Sequence, residues 1–211
     1  LPNPAPRPEG ELATLKRLWQ PPRGLRFITV INNNYIGVFY VGTAFPHKNL
    51  PALVDAFEKI LEDNPEAKLV FAGKIEYHAR KLRRYARKKP YADSIIFTGF
   101  VSDEELKWLY EHASVYVFPS LSEGFGLPGL EAMAHGCPVA SSSATCLPEV
   151  YGDAAHYFDP ENVDDMAEKV SAVMSNNRLR GQLIARGQEQ VKKYSWKRMT
   201  TETTAIYNEV L

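Results

Sequence analysis

Hydrophobic positions along the chain fall into two kinds of run. Short, almost continuously apolar runs predict strands, and longer runs with an apolar residue every three or four positions predict helices with one buried face. The predicted strands are 27–31, 36–41, 68–72, 94–98, 114–118, 138–141 and 154–158, and the predicted helices are 50–61, 76–89, 102–112, 127–135, 162–176, 178–193 and 196–210. This alternation indicates an α/β fold, a single Rossmann-like domain whose parallel sheet carries helices on both faces.

Two of the predicted helices begin with a local signal. Asn49 stands directly before the first helix and is placed to cap it. Ser102 and Glu105 fit a capping box, in which the Ser102 hydroxyl accepts from the Glu105 amide and the Glu105 carboxylate accepts from the Ser102 amide.

Proline sets the start of the chain apart. The first 22 residues contain six prolines (Pro2, Pro4, Pro6, Pro8, Pro21 and Pro22). Proline fixes φ and lacks an amide donor, so this stretch cannot lie inside a sheet. We predict a Pro-rich arm or linker over residues 1–23, a Rossmann-like domain over 24–194 and a C-terminal helix over 195–211.

Charge and cysteine content narrow the function classes. Among 211 residues, 25 are Lys or Arg and 25 are Asp or Glu, so no chain-wide basic surface for nucleic acid is indicated. The basic segment 76–89 also carries apolar positions, which favours a solvated basic helix face over a membrane contact.

The two cysteines are isolated and the histidines lack metal-ligand spacing, so we expect no disulfide and no metal. No signal peptide or membrane span is recognised, and we expect a cytoplasmic protein, with peripheral contact at the inner face of a membrane as the alternative.

Candidate chemistry is concentrated after the strand at 114–118. Gly124 and Gly126 lead into a predicted helix whose first turn holds Pro128, which lacks the amide that would be unpaired there anyway. Exposed amides at a helix start attract anions such as phosphates. Glu131, one turn into that helix, can accept hydrogen bonds from two adjacent hydroxyls of a ribose. Glu123, on the loop side, can accept from hydroxyls of a group that extends past the phosphates.

The same residues fit two other interpretations. Gly124, Gly126 and Gly129 form a Gly-x-Gly-x-x-Gly pattern between a strand and a helix, as in NAD(P)-binding domains, with Glu149 as the acidic partner. That pattern occurs late in the chain, and Glu149 lies past the end of the next strand. The glycines could also serve only a tight turn, but the two carboxylates flanking the helix start argue against this.

Motifs spread over most of the chain resemble those of the retaining group 1 glycosyltransferases with the GT-B fold. Glu123 and Glu131 match the family's Glu-x7-Glu motif. The other matching segments are Tyr40-Val41-Gly42-Thr43, Lys48-Asn49-Leu50, Phe97-Thr98-Gly99-Phe100-Val101-Ser102-Asp103-Glu104-Glu105-Leu106, Gly136-Cys137-Pro138-Val139-Ala140, Leu147-Pro148-Glu149-Val150 and Gly152-Asp153-Ala154-Ala155. They occur in the family's order and approximate spacing, from about residue 37 to the C-terminus.

The resemblance implies a nucleotide-diphosphate-sugar donor site with no metal cofactor. The implied catalytic residues are Glu123, on the hydroxyls of the donor sugar, and Lys48, on the diphosphate. Glu131 would bind the ribose. The remaining implied donor-site residues are Gly42, Thr43, Val101, Ser102, Gly124, Phe125, Gly126 and Leu127, with residues 125–127 on the sugar and phosphate and residues 100–102 beside the base. Where the family often has an arginine, this chain has Thr43 or His47.

A GT-B enzyme has two Rossmann-like halves, and the resemblance covers only the donor-binding half. We therefore expect the acceptor-binding half to be absent from these residues and the helix at 195–211 to pack towards it. The implied reaction is transfer of a hexose, with mannose from GDP-mannose as one candidate, to a glycan or lipid-linked acceptor with retention. The alternative that is not an enzyme is a non-catalytic module that binds nucleotide sugars.

Overall fold

The computed structural model describes residues 36–210, in which strands and helices alternate as the pattern predicts. The strands are β1 (Ile36–Val41), β2 (Leu69–Ala72), β3 (Ile95–Gly99), β4 (Ala113–Phe118), β5 (Val139–Ser142) and β6 (Ala155–Phe158). The α-helices are α1 (Leu50–Asp63), α2 (Tyr77–Ala86), α3 (Asp103–His112), α4 (Leu127–Ala134), α5 (Leu147–Tyr151), α6 (Val163–Ser175), α7 (Asn177–Val191) and α8 (Trp196–Val210). Short 3-10 turns occur at Pro46–Lys48, Ala92–Ser94 and Gly152–Ala154.

The six strands form one parallel sheet in the order β3-β2-β1-β4-β5-β6. β1 and β4 are neighbours at the centre, with Val38 opposite Val115 and Phe39 opposite Tyr116. From β1 the chain continues to β2 on one side, and from β4 it continues to β5 on the other. The loops that follow β1 and β4 therefore diverge at the carboxyl edge and leave a crevice, where open α/β sheets bind ligands.

Apolar residues of β1 and β4 are covered on both faces of the sheet, as expected for a parallel sheet. Aromatic rings fill the space between β1, β4 and α3. Phe39 lies edge-on to Tyr110 with ring centroids 5.3 Å apart, and Tyr110 meets Tyr116 at 5.6 Å. This packing joins β1, β4 and α3 two residues before β1 and β4 end and the two loops of the crevice begin.

The structure confirms the α/β fold and the predicted elements between residues 36 and 210, with ends shifted by at most three residues. The capping box of α3 is present, with Glu105 N 3.3 Å from Ser102 Oγ and Ser102 N 2.8 Å from Glu105 Oε2. The predicted strand at 27–31 and the Pro-rich arm lie outside the described residues. The domain boundaries at residues 23 and 194 stay predictions.

Two features of the helices differ from expectation. Asn49 does precede α1, but its side chain makes no capping bond, because its backbone is left-handed with φ 55° and its amide is used elsewhere. The short helix α5 was not predicted, since its five residues are too few to show a helical period. Both differences arise beside the crevice.

The last helix, α8, has no buried residue among those described. Its exposed apolar side chains are Trp196, Met199, Ile206, Tyr207 and Val210. This helix therefore presents an apolar surface, while its predicted packing towards a second half stays a prediction.

Candidate functional site

Lys48 and Glu123 meet at the crevice between the loops after β1 and β4. The Lys48 Nζ lies 2.5 Å from Glu123 Oε1, and the two side chains are 16% and 11% exposed. The ammonium group also lies 5.3 Å from the centre of the Phe118 ring, at the end of β4. The structure thus brings both predicted catalytic residues to one point, where a cation and a carboxylate are available together.

The loop that carries Lys48 is tied to two other loops of the same edge. The Asn49 side-chain amide donates to the carbonyl of Pro160, after β6, at 2.7 Å. The amide of Leu121, after β4, donates to the carbonyl of His47 at 2.8 Å. These bonds limit the movement of Lys48 relative to Glu123.

Tyr151 of α5 contacts the glycine-rich loop at residues 124–129, where α4 begins. Its hydroxyl donates to the carbonyl of Gly126 at 2.5 Å. A Cβ at Gly126 or Gly129 would collide with the Tyr151 hydroxyl, and Gly126 also has φ 96°, which favours glycine. A Cβ at Gly124 would meet nothing within 4 Å. Two of the three glycines are therefore required by packing, whereas Gly124 borders open space.

Helix α4 begins at the crevice without a side-chain cap. Its N-cap is Gly126, and Pro128 occupies the first turn. Pro128 has no amide and the Gly129 amide donates to the carbonyl of Gly126. The Leu127 amide and the helix dipole can therefore serve an anion placed before Leu127. The Phe125 side chain is 42% exposed and the Leu127 side chain 44%, so both apolar side chains are accessible beside that position.

Glu131 is exposed on α4, and Tyr110 of α3 orients it. The Tyr110 hydroxyl lies 3.2 Å from Glu131 Oε2 and 3.2 Å from the carbonyl of Pro128. Burial, and next the Glu131 charge, raise the pKa of Tyr110 far above its usual value, so the phenol stays protonated and donates. The Glu131 carboxylate retains acceptor capacity for a ligand. Sequence reasoning missed Tyr110 and Tyr151, because both read as ordinary core aromatics.

The other predicted donor-site residues lie in the loops after β1 and β3. Gly42 and Thr43 are exposed at the end of β1, and the Tyr40 hydroxyl donates to the Thr43 carbonyl at 2.8 Å. In the loop expected beside the base, the Val101 side chain is buried and the Ser102 hydroxyl caps α3. The neighbouring Phe100 is 76% exposed, so its ring is accessible on that loop.

The basic segment 76–89 carries most of its cations on the surface of the protein. The exposed cations of the basic segment 76–89 are Arg80, Lys81, Arg83, Arg84, Arg87 and Lys88, while Leu82 and Ala86 of α2 are buried, as expected.

Residues 36–210 contain no group of three His, Cys, Asp or Glu side chains arranged to hold a metal ion. Within the same range, none of the helices is long and apolar enough to cross a membrane.

Comparison with known families gives a match over most of the chain. Residues 23–190 match the family "Glycosyl transferases group 1". The O-antigen chain mannosyltransferase B of Escherichia coli is 37% identical over 169 residues, which cover 80% of this chain and 44% of that protein. The uncharacterised glycosyltransferase MJ1607 of Methanocaldococcus jannaschii is 35% identical over 177 residues, which cover 81% and 44%. The chain thus spans less than half the length of these two relatives.

Solved structures share the fold. Sucrose-phosphate synthase from Thermosynechococcus elongatus superposes with a TM-score of 0.75 at 24% identity, over 92% of this chain and 50% of that one. The C-terminal domain of a group 1 family glycosyl transferase from Francisella tularensis gives 0.66 at 24% identity, over 82% of this chain and 93% of that one. The fold is that of one Rossmann-like half of a GT-B protein.

Proposed function

Because the chain belongs to the group 1 glycosyl transferases, we propose that it binds the nucleotide-diphosphate-sugar donor of a hexosyl transfer reaction. The observation that carries the proposal is the meeting of Lys48 and Glu123 at the point where the strand order reverses. A donor of this class needs a cation for its diphosphate and an acceptor group for its sugar hydroxyls, and this pair supplies both.

The diphosphate is assigned to Lys48 and the start of α4. Negative charge grows on the departing nucleoside diphosphate in the transition state, and donors already aimed at that position lower the barrier. The Lys48 ammonium and the amide of Leu127, the residue after the N-cap Gly126, provide such donors at one edge of the sheet. Since they supply positive charge themselves, we propose that no metal ion is required.

The two ends of the donor are assigned to separate groups. Glu131, oriented by Tyr110, accepts from the ribose hydroxyls. The exposed Phe100 lies in the loop assigned to the base, where an aromatic ring can stack. Glu123 accepts from hydroxyls of the sugar, and in doing so exchanges part of its contact with Lys48 for contact with the donor.

We propose mannose from GDP-mannose as the donor, with a glycan or lipid-linked acceptor and retention of configuration. Support for the sugar comes from the relatives, among which are the O-antigen chain mannosyltransferase B and the serotype-specific mannosyltransferase WbdA of Escherichia coli. Retention rests on the family resemblance of the Glu123 and Glu131 motif. The acceptor site is assigned to a second Rossmann-like half, which faces this edge in a GT-B enzyme.

The experiment is calorimetric titration of the chain with GDP-mannose, GDP-fucose, UDP-glucose, UDP-N-acetylglucosamine and NAD. We expect saturable binding of GDP-mannose at one site and no binding of NAD. Binding of NAD with no response to any nucleotide sugar would refute the proposal and support the dinucleotide interpretation of the glycine pattern.

A further inference from the structure

The backbone of Glu123 is held by two consecutive residues from the loop between β5 and α5. The Glu123 amide donates to Thr145 Oγ1 at 3.1 Å, and the Cys146 thiol donates to the Glu123 carbonyl at 3.3 Å. Both polar groups of the Glu123 backbone are therefore fixed from the same side. None of the sequence motifs indicated a role for Thr145.

Thr145 has an unusual backbone conformation. Its φ is 54°, in the left-handed region, which is a genuine outlier for a β-branched residue. Such conformations persist only where the surroundings determine them strongly. Here the left-handed turn presents the Thr145 hydroxyl to the Glu123 amide, and Cys146 follows directly with its thiol on the Glu123 carbonyl.

The same segment holds the glycine-rich loop at a third point. Five residues after Cys146, the Tyr151 hydroxyl donates to the carbonyl of Gly126. Three contacts from residues 145–151 thus span the loop from Glu123 to the start of α4. The orientation of the Glu123 side chain relative to Lys48 follows from the position of a backbone that this segment fixes.

We infer that Thr145 and Cys146 are positioning residues for Glu123, and that they determine how well the site recognises the sugar of the donor. This inference rests on the proposed role of Glu123 on the sugar hydroxyls. Neither residue touches the diphosphate in this assignment. Loss of their contacts should therefore weaken binding of the nucleotide sugar and leave binding of the nucleoside diphosphate unchanged.

The test compares Thr145→Val with Thr145→Ser. Valine keeps the shape and β-branching of threonine but removes the acceptor for the Glu123 amide, whereas serine keeps the hydroxyl. Cys146→Ala, with Cys146→Ser as its control, removes the second contact independently and covers the case in which Thr145→Val fails to fold. Each variant is titrated with GDP-mannose and with GDP, and hydrogen exchange of the Glu123 amide is followed by NMR without ligand.

For Thr145→Val we expect the Glu123 amide to exchange about fivefold faster and the affinity for GDP-mannose to fall about five- to tenfold, with GDP affinity unchanged. Cys146→Ala should lower the affinity for GDP-mannose in the same selective way, and both serine variants should behave like the parent chain. Equal losses for GDP and GDP-mannose, or unchanged amide exchange and unchanged affinities, would overturn the inference. If the parent chain binds neither GDP nor GDP-mannose, the proposed function is wrong. The exchange rates, which need no ligand, would still report whether Thr145 holds the backbone of Glu123.

Discussion

Lys48 and Glu123, 75 residues apart in the sequence, form an ion pair with 2.5 Å between Nζ and Oε1. Both side chains are largely shielded from water, and each is the nearest opposite charge of the other. A donor that engages both groups must therefore replace a contact that already exists. Substitution of Lys48 should therefore affect binding of the diphosphate, and substitution of Glu123 should affect binding of the sugar.

Glu131→Gln should weaken nucleotide binding about tenfold, because a hydrogen bond to a charged group contributes about 1.5–3 kcal/mol. The fold should be intact, since Glu131 is exposed on α4. Calorimetry with GDP measures the effect. Glu149→Gln, at the exposed acidic residue of the dinucleotide interpretation, is the matched control and should bind as the parent chain does. Reversed effects of the two substitutions would assign the ribose to Glu149.

Lys48→Ala should weaken binding of GDP and leave binding of guanosine nearly unchanged, because the ammonium charge acts on the diphosphate. Lys59→Ala is a suitable control, since Lys59 also pairs with a carboxylate, Asp164, but on the exposed surface of α1. Calorimetric titration with both ligands separates the outcomes. Equal losses of GDP and guanosine affinity would mean that Lys48 supports the loop and not the phosphates.

The glycines of the loop should differ in what they contribute. Gly126→Ala and Gly129→Ala should each lower the free energy of unfolding by about 1–3 kcal/mol, since the new methyl group would collide with Tyr151. Gly124→Ala should change it by less than about 0.5 kcal/mol and weaken GDP-mannose binding, because its Cβ enters the open space of the site. Urea unfolding and calorimetry together test this ranking. A large loss of stability for Gly124→Ala would show that this glycine too is structural.

Residues 1–211 alone should bind the donor without transferring its sugar. Positioning of two reactants can lower a barrier by about 7–11 kcal/mol, and a single half offers no second wall to position an acceptor or exclude water. The exposed apolar side chains of α8, among them Trp196 and Val210, fit the proposed packing of this helix towards an acceptor-binding half. A radiolabelled transfer assay with the purified chain checks this. Robust transfer to a sugar acceptor would contradict the assignment as a half-enzyme.

Local signals in the sequence were sufficient for features that depend on neighbouring residues. The capping box at Ser102 formed as predicted, because both partners lie within one turn. Asn49 did not cap its helix, because its side chain bonds Pro160, 111 residues away. The Val101 side chain, within a segment that matches a family motif, is buried in the core. Such competition from distant partners leaves no periodic or compositional signal.

The meeting of Lys48 and Glu123 depends on the sheet topology and not on neighbouring residues. The carboxyl ends of parallel strands share one edge, so Lys48 and Glu123 could be expected at the same crevice. The contacts that orient them could not, since Thr145, Tyr110 and Tyr151 act across different loops and helices. Thr145 in particular has a left-handed backbone that no sequence rule assigns to threonine.

The most direct measurement is the affinity of Glu123→Gln for GDP and for GDP-mannose. Glutamine keeps the size of the side chain but removes the charge that pairs with Lys48. The sugar should then lose its charged acceptor, while Lys48 becomes fully available to the diphosphate. We predict that GDP-mannose binds about tenfold more weakly and that GDP binds at least as tightly as to the parent chain. An equal loss for both ligands, or no change for either, would contradict the division of the donor site between Glu123 and Lys48.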